Sequence, residues 1–259
     1  MNDAYTFSDP FGLRSIWDAL LDLYSNFSAF CSKYGLRHYA AFGTALGAVR
    51  HKGFIPWDDD MDVYMPRPDY ERFFELIKQG NSLCLNAVNM WTDSSYKLQF
   101  GKVYNKELLK VPQFESNDGV FIDVFPLDGL PSGNLRFKLW MIERGLKRRL
   151  STYLHSERLS DAISKSLDKW GKKWPYDESY FVQCYQENLC KIKDRLYTRG
   201  MFGVAKWMPF DRIQIAVPED VEGYLRAEFG DYMKLPPETS RVPSHSIMNK
   251  LESEGDKLC

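Results

Sequence analysis

The stretch IPWDDDMDVYMP, residues 55–66, places four carboxylates within five residues at the start of an apolar segment. Its second half predicts a β-strand over Asp60–Met65. Side chains alternate between the two faces of a strand, so Asp60 and Asp62 should share one face while Met61 enters the core. A solvated acidic turn before a strand has the same composition, and this stretch alone leaves both interpretations open.

Two carboxylates on one strand face are ligands for a hard divalent cation. At a separation of roughly 5–7 Å they repel each other by about 3 kcal/mol at an effective dielectric constant near 20. A cation between them turns that cost into a gain. Oxygen ligands suit Mg²⁺ or Mn²⁺, which usually share their coordination sphere with substrate phosphates. The pattern therefore predicts a metal site at Asp60 and Asp62, with Asp58 and Asp59 in supporting positions at most.

A third acidic residue interrupts an apolar segment further along the chain. Residues Val120–Phe125 predict a strand in which Asp123 is the only charged residue. An unpaired carboxylate is costly in a buried strand, so Asp123 should face a cation, a metal ion or water. Asp128 precedes Gly129, which is typical of a turn.

The segment FGTALGAVRHKGF, residues 42–54, precedes the acidic stretch. Gly43 and Thr44 are predicted at the point where a strand gives way to a helix, where backbone N–H groups and a hydroxyl can bind phosphate. Arg50 and Lys52 add positive charge just downstream. Gly and Thr are common at such turns, so the segment has meaning only beside the carboxylates.

The rest of the chain alternates strands with helices, which favours an α/β or α+β layered fold. Apolar spacing and glycine at helix ends support these elements. The predicted elements are helices at Leu13–Tyr34, Arg67–Gln79 and Pro218–Phe229, strands at His38–Phe42, Tyr96–Tyr104 and Phe210–Val217, and a mostly helical stretch at 134–197.

Composition excludes several classes of protein. The 259 residues carry a net charge of −1, so no global field recruits nucleic acid. Five cysteines without a CxxC spacing argue against a disulfide framework and a zinc site, and they favour a reducing compartment. The sequence has neither a signal-peptide pattern nor an apolar run of about 20 residues. We therefore expect a cytoplasmic protein.

The segment RFKLWMIERGLKRRLSTYL, residues 136–154, is basic with apolar residues interleaved. An ordinary half-buried helix with a solvated face is one interpretation. The other is peripheral contact with the inner membrane surface, where a lipid-linked glycan acceptor would be found.

Four blocks of the chain resemble the LicD family. The first is long and distinctive, and the others follow in the order and spacing of that family. The blocks are FGTALGAVRHKGFIPWDDDMDVYMPRPDYERF (42–73), FGKVYN (100–105), FIDVFPLDGLP (121–131) and FGDYMKLPP (229–237). The last block predicts a helix end followed by an ordered loop, to which we assign a structural role.

The resemblance implies a fold and a domain organisation. LicD proteins belong to the nucleotidyltransferase superfamily, so it implies a small mixed sheet flanked by helices and a largely helical C-terminal half. The whole of 1–259 would be one LicD-like domain. Its parts would be a nucleotidyltransferase core at about 35–130, a helical region at about 134–207 and a closing strand and helix segment at about 208–240.

The resemblance also implies a site. The superfamily combines a Gly-[Ser/Thr] turn, an Asp-x-Asp strand and a third acid on a later strand. Here these features correspond to Gly43-Thr44, to Asp60 and Asp62, and to Asp123. Thr replaces the Ser of many members but retains the hydroxyl.

The family's bacterial members transfer phosphocholine from CDP-choline to a sugar hydroxyl of lipopolysaccharide or teichoic acid, releasing CMP. By resemblance, Asp60 and Asp62 would hold Mg²⁺, and Asp123 would complete the metal sphere or accept the proton of the attacking hydroxyl. The groups expected to bind phosphate or neutralise its charge are Gly43, Thr44, Arg50, Lys52 and Lys102.

Other functions remain open from the sequence. The donor could be CDP-glycerol or CDP-ribitol, since every CDP-alcohol has the same diphosphate end. The chemistry could run as nucleotide addition. A nucleotide-binding module without turnover is a further alternative, although all three aspartates are present.

Overall fold

The computed structural model describes residues 9–82, 84–93, 96, 98, 100–105, 120–130, 135–154, 157–184 and 196–243. The helices are α1 (Arg14–Tyr34), α2 (Phe42–Arg50), α3 (Arg67–Lys78), α4 (Leu135–Leu154), α5 (Glu157–Gly171) and α6 (Val221–Phe229). The strands are β1 (Tyr39–Ala40), β2 (Met61–Pro66), β3 (Asn86–Val88), β4 (Gly101–Tyr104), β5 (Phe121–Leu130), β6 (Phe181–Gln183), β7 (Tyr197–Thr198), β8 (Lys206–Phe210) and β9 (Ile213–Val217).

A mixed sheet forms the centre of the molecule, with the strand order β1-β2-β5-β4-β3. The strands β2 and β5 are parallel, and the other pairs in this order are antiparallel. The second half of β5 turns away to pair with β6, which in turn pairs with β7. Strands β8 and β9 form a separate hairpin. The fold is therefore the mixed sheet flanked by helices that the sequence predicts.

Helix α1 covers the sheet with an apolar face. Trp17, Leu20, Tyr24 and Phe27 are each 1% exposed or less, and they recur at three- and four-residue steps. Gly35 ends the helix in the left-handed conformation, with φ of 65°. The Tyr24 hydroxyl accepts a hydrogen bond from the Ala216 backbone N–H at 2.9 Å, which fixes the β8–β9 hairpin against α1.

Several predicted boundaries are wrong. The helical prediction fails after Gly171, where β6 and β7 form because residues 181–183 complete the edge of β5. The single strand predicted at Phe210–Val217 is interrupted by a two-residue turn at Asp211-Arg212, with Asp211 in the left-handed region at φ 50°. Part of the strand predicted at Tyr96–Tyr104 lies outside the described residues; β4 covers its end.

Asp128 is a strand residue and not the turn residue that the sequence predicted. It lies in β5 and is completely buried. Its carboxylate receives two hydrogen bonds from the Arg67 guanidinium, at 2.6 and 2.9 Å. A third bond of 3.2 Å joins Arg67 to Asp168 of α5. A buried carboxylate is tolerated here because a bidentate partner from α3 satisfies it.

Helices α4 and α5 pack against each other beside the second half of β5. Leu130 and Ile163 form a small second core there, with Leu159 and Phe181 packed against it. Within the described residues, no helix combines the length and the apolar character needed to cross a bilayer.

Candidate active site

Three charged residues form a row across neighbouring strands. Asp62 of β2 is in register with Asp123 of β5, and Asp123 is in register with Lys102 of β4. Residues in register on adjacent strands share a face of the sheet. The Lys102 ammonium donates a hydrogen bond to Asp123 Oδ1 at 2.5 Å, and only about a tenth of each side chain is exposed. The row therefore places a lysine and two aspartates in one half-buried site.

Asp60 extends this row toward the start of β2. It precedes Asp62 by two residues, and the intervening Met61 is completely buried. Asp60 and Asp62 thus share the partly exposed face, as the strand alternation predicts. The Asp58 carboxyl group is hydrogen-bonded to Asp60 and lies against Gly43, where an added Cβ would collide with Asp58 Oδ2. Asp58 therefore lies inside the acidic cluster.

The carboxylates raise one another's pKa. Burial raises the pKa of Asp62 well above its usual value, and the neighbouring charges of Asp60 and Asp123 add to this effect. Burial also raises the pKa of Asp58, with Asp60 and Asp59 contributing.

Lys102 supplies compensating positive charge to this cluster. Burial lowers the pKa of Lys102, and Asp123, Asp62 and Asp60 oppose that shift. Its charge in turn opposes the rise in the pKa of Asp62. Four carboxylates around one lysine still leave an excess of negative charge when all are ionised, which a bound cation would offset.

The start of α2 is fastened to the backbone of Asp62. Thr44 Oγ1 accepts a hydrogen bond from the Asp62 N–H at 2.8 Å, and the Asp62 carbonyl accepts one from the Ala41 N–H at 2.9 Å. Gly43 and Thr44 lie in the first turn of the helix, and the N-cap residue Ala41 makes no side-chain cap. The helix N-terminus, which favours negative charge, thus lies beside the acidic strand.

Strain accompanies this helix start. Phe42 has φ of 40°, in the left-handed region that favours glycine. Its backbone N–H donates to the Tyr224 hydroxyl at 2.9 Å, so α6 holds the strained residue in place. Strained backbone of this kind is concentrated at functional sites in proteins.

Arg50 and Lys52 lie further along this segment. Arg50 donates a hydrogen bond to the Tyr232 carbonyl at 2.8 Å, and burial lowers its pKa. Lys52 is exposed beyond the end of α2, and its carbonyl accepts from the Asp211 N–H at 2.7 Å. A helical rise of 1.5 Å per residue places it about 12 Å along the axis from Thr44. The structure thus joins Gly43, Thr44 and Lys102 to the aspartates, while these contacts of Arg50 and Lys52 lead to other segments.

The donor set of the cluster fits a hard cation. Asp60, Asp62 and Asp123 offer only carboxylate oxygens, on neighbouring strands and one face, as Mg²⁺ or Mn²⁺ requires. Across the described residues, no three His, Cys, Asp or Glu side chains are already gathered as a formed metal centre. Asp123 is instead hydrogen-bonded to Lys102. A cation would therefore bind with local rearrangement of these side chains.

Sequence reasoning missed several contributors to the site. Asp58 was assigned a supporting place, although its position in the acidic run could have indicated more. Trp17 donates through Nε1 to the Asp58 carbonyl at 2.8 Å. The Lys102 ammonium lies 3.3 Å from the centroid of the Phe121 ring. No local sequence signal indicates Trp17 or Tyr224, because both reach the site from distant helices.

A Gly-Thr helix start, two aspartates on one strand and a third on the parallel neighbour are the combination that the superfamily resemblance predicted. This fold and site define a nucleotidyltransferase-type protein. Residues 35–152 match the family described as LicD/FKTN/FKRP, nucleotidyltransferase domain. The chain belongs to the LicD family.

Similarity to individual proteins extends over most of the chain. The lipopolysaccharide cholinephosphotransferase LicD of Haemophilus influenzae is 27% identical over 253 aligned residues, which cover 87% of this chain and 92% of that protein. An uncharacterized protein of Rickettsia typhi is 32% identical over 73 residues, 28% of this chain and 20% of its own length. The first similarity thus includes the helical region and the closing segment as well as the core.

Proposed function

We propose that this protein is a cation-dependent phosphotransferase that moves phosphocholine from CDP-choline to a hydroxyl of a lipopolysaccharide-type glycan, releasing CMP. The observation that carries the proposal is the row Asp62–Asp123–Lys102 beside the Gly43-Thr44 helix start. Similarity to a lipopolysaccharide cholinephosphotransferase over 92% of its length supports the phosphotransferase role. A cytoplasmic location remains a prediction from the sequence.

The three aspartates are assigned to the cation and to the proton. Asp60, Asp62 and Asp123 would hold Mg²⁺ or Mn²⁺, which when bound neutralises the charge of the donor diphosphate. Asp123, paired with Lys102 in the structure, is the residue we assign to accept the proton of the attacking hydroxyl. Transfer of a phosphoryl group depends mostly on such positioning and charge stabilisation.

The groups around the aspartates are assigned to the donor. Lys102 is close enough to the aspartates to bind a phosphate oxygen once a cation has taken its place beside Asp123. Thr44 Oγ1 accepts a bond from Asp62, which leaves its O–H to donate to phosphate. Exposed N–H groups at the start of α2 favour the same anion. We retain Arg50 and Lys52 only as long-range positive charges.

The reaction balances with these groups. The acceptor oxygen forms a bond to the phosphorus that carries choline, and the bond from that phosphorus to the bridging oxygen breaks. CMP leaves with the bridging oxygen, and the acceptor proton passes to Asp123. A lipopolysaccharide-type or teichoic-acid-type acceptor satisfies this scheme equally, because each supplies a hydroxyl.

A different CDP-alcohol is the principal alternative. CDP-glycerol and CDP-ribitol share the diphosphate and cytidine, so the aspartates and Lys102 do not distinguish them. Nucleotide addition from CTP and a binding module without turnover are the other candidates. The buried, mutually repelling carboxylates favour turnover, because a binding site for an anionic nucleotide gains nothing from them without a cation.

The test is the thermal stability of the protein with Mg²⁺ and each of CDP-choline, CDP-ethanolamine, CDP-glycerol, CDP-ribitol and CTP. A ligand at a hundred times its dissociation constant adds about 2.7 kcal/mol, which corresponds to a rise in Tm of roughly 5–10 °C. We expect CDP-choline to give the largest rise. EDTA and the Asp62→Asn substitution should remove it.

Asp161→Asn is the matched control, since Asp161 is an exposed aspartate of α5. This variant should retain the full shift. A larger shift with another CDP-alcohol reassigns the donor. A shift that survives EDTA and Asp62→Asn contradicts the cation-dependent site, and turnover is then measured directly as CMP release in the presence of glycan acceptor.

A further inference from the structure

Helix α4 exposes a continuous apolar stripe. Its members are each 50–68% exposed and follow one another at steps of four and three residues, which keeps them within an arc of about 80° around the helix. They are Leu135, Leu139, Ile142, Leu146 and Leu150. Single exposed leucines are ordinary in proteins, but a stripe of this length indicates an interaction surface.

Basic residues flank this stripe. Lys138 and Arg149 are exposed along one side of it, and Lys147 is exposed on the other, paired with Glu143. The α4 sequence LRFKLWMIERGLKRRLSTYL contains six basic residues and one acidic residue. The helix thus carries a net charge of +5 while the whole chain carries −1. The positive charge of this protein is concentrated beside its exposed apolar side chains.

The position of α4 in the fold leaves this face outward. It packs against α5, and α5 packs on the sheet through the small core of Leu130 and Ile163. Tyr153, near the C-terminal end of α4, is 82% exposed. The helix therefore lies on the outside of the molecule, with its apolar stripe available to a flat partner.

We propose that α4 is a membrane-docking helix that lies in the surface of an anionic lipid bilayer, with its leucine stripe among the acyl chains. A surface helix of this kind combines an apolar face with flanking basic residues, which contact lipid phosphates while the apolar side chains enter the interface. The six basic residues of α4 exclude a spanning arrangement.

Charge selects the membrane over other occupants of the stripe. A second copy of this chain would bring two helices of charge +5 together, which is unfavourable. Nucleic acid would satisfy the charge but leave the leucines exposed. An anionic bilayer satisfies both features at once. This inference does not depend on the proposed catalytic activity, because it concerns only α4.

The test is co-sedimentation of the full chain with lipid vesicles, at low and at high salt. Binding should occur with phosphatidylglycerol–phosphatidylcholine vesicles, weaken at high salt and be weak with phosphatidylcholine alone. Each basic residue near an anionic surface contributes about fivefold to the partition coefficient, so Lys138→Glu with Arg149→Glu should reduce it by at least about thirtyfold. Arg158→Glu with Lys169→Glu makes the same change of charge on exposed α5 positions and should have little effect.

A second variant tests the apolar stripe. Leu139→Gln, Ile142→Gln and Leu146→Gln together keep helix-forming residues at exposed positions, so the fold should persist by circular dichroism. Partitioning to anionic vesicles should fall by at least about tenfold. Equal binding to neutral vesicles, or unchanged binding of the charge variant, overturns the proposal. So does a wild-type dimer, seen by analytical ultracentrifugation, that the glutamine variant abolishes.

Discussion

Lys102 and Asp123 are in register on the antiparallel strands β4 and β5, with the ammonium nitrogen 2.5 Å from the carboxylate. On the other side of β5, Asp62 is in register with the same aspartate. One lysine therefore supplies the positive charge next to the strand pair that carries the acidic cluster. This relationship explains how mutually repelling carboxylates are accommodated in a folded protein that holds no cation.

Replacing Lys102 should destabilise the protein and make its stability respond to cations. Lys102→Met leaves Asp123 buried without its ion pair, and loss of one partner from a buried pair costs about 3–5 kcal/mol. We expect this loss in the free energy of unfolding, measured by urea denaturation in EDTA. Added Mg²⁺ should restore part of it, because a cation can take the place of the ammonium.

The control for this prediction is Lys165→Met. Lys165 forms an exposed ion pair with Asp161 four residues earlier, and such pairs contribute about 0.5 kcal/mol or less. If Lys102→Met were as mild as this control, the row would not depend on Lys102.

Adding a methyl group at Gly43 should damage the site more than the fold. A Cβ there collides with the Asp58 carboxylate, which must move away from the start of α2. Gly43→Ala should therefore reduce the thermal shift produced by Mg²⁺ and CDP-choline at least about tenfold in apparent affinity. The measurement is a ligand titration of Tm, compared with the same titration of the wild type.

Gly145→Ala is the matched substitution at a position with space. Gly145 lies inside α4, and an added Cβ there has no neighbour within 4 Å. Alanine is favoured over glycine in a helix interior by about 0.5–1 kcal/mol. This variant should therefore gain stability and keep its ligand response, and a loss of ligand response would show that the Gly43 effect is not local.

The ion network around Arg67 should be a large contributor to stability. Arg67 joins α3, β5 and α5 through Asp128 and Asp168, and all three side chains are buried. Arg67→Met leaves two carboxylates without their shared partner, at a cost of about 3–5 kcal/mol in the free energy of unfolding. Arg226→Met, which breaks an exposed pair with Glu222, should cost less than about 0.5 kcal/mol. Comparable urea midpoints for the two variants would contradict this.

Acid should destabilise the protein through His38. This histidine is buried, its Nε2 has no hydrogen-bond partner, and burial lowers its pKa to about 4. Since the unfolded chain binds a proton near pH 6.5, stability falls as the pH falls from 6.5 towards 4, by about 3 kcal/mol in total. His38→Phe should remove this component from the pH dependence of the unfolding free energy. An unchanged slope in that variant would assign the acid sensitivity to other groups.

Local sequence patterns were sufficient for relationships within one element. The alternation in DMDV correctly places Asp60 and Asp62 on one face with Met61 in the core. The apolar spacing of α1 and the glycine after it give that helix to within one residue. The expectation that Asp123 faces a cation, a metal ion or water is met by Lys102. The metal assignment itself stays a prediction.

Relationships between elements required the tertiary structure. The sequence does not tell that β5 lies between β2 and β4, because strand order depends on packing between distant segments. That order alone brings Lys102 and Asp62 to opposite sides of Asp123. It also explains why the turn prediction at Asp128 was wrong, since a dipeptide pattern carries no information about Arg67 of α3.

This chain by itself therefore determined which residues carry the chemistry, since carboxylates in strand alternation and a distinctive family motif are local features. Only the tertiary structure decided which charges are paired, which are buried and which face outward, as on α4. The physical reason is that solvation and Coulomb energies depend on every neighbour within several ångströms, and most of those neighbours are distant in the sequence.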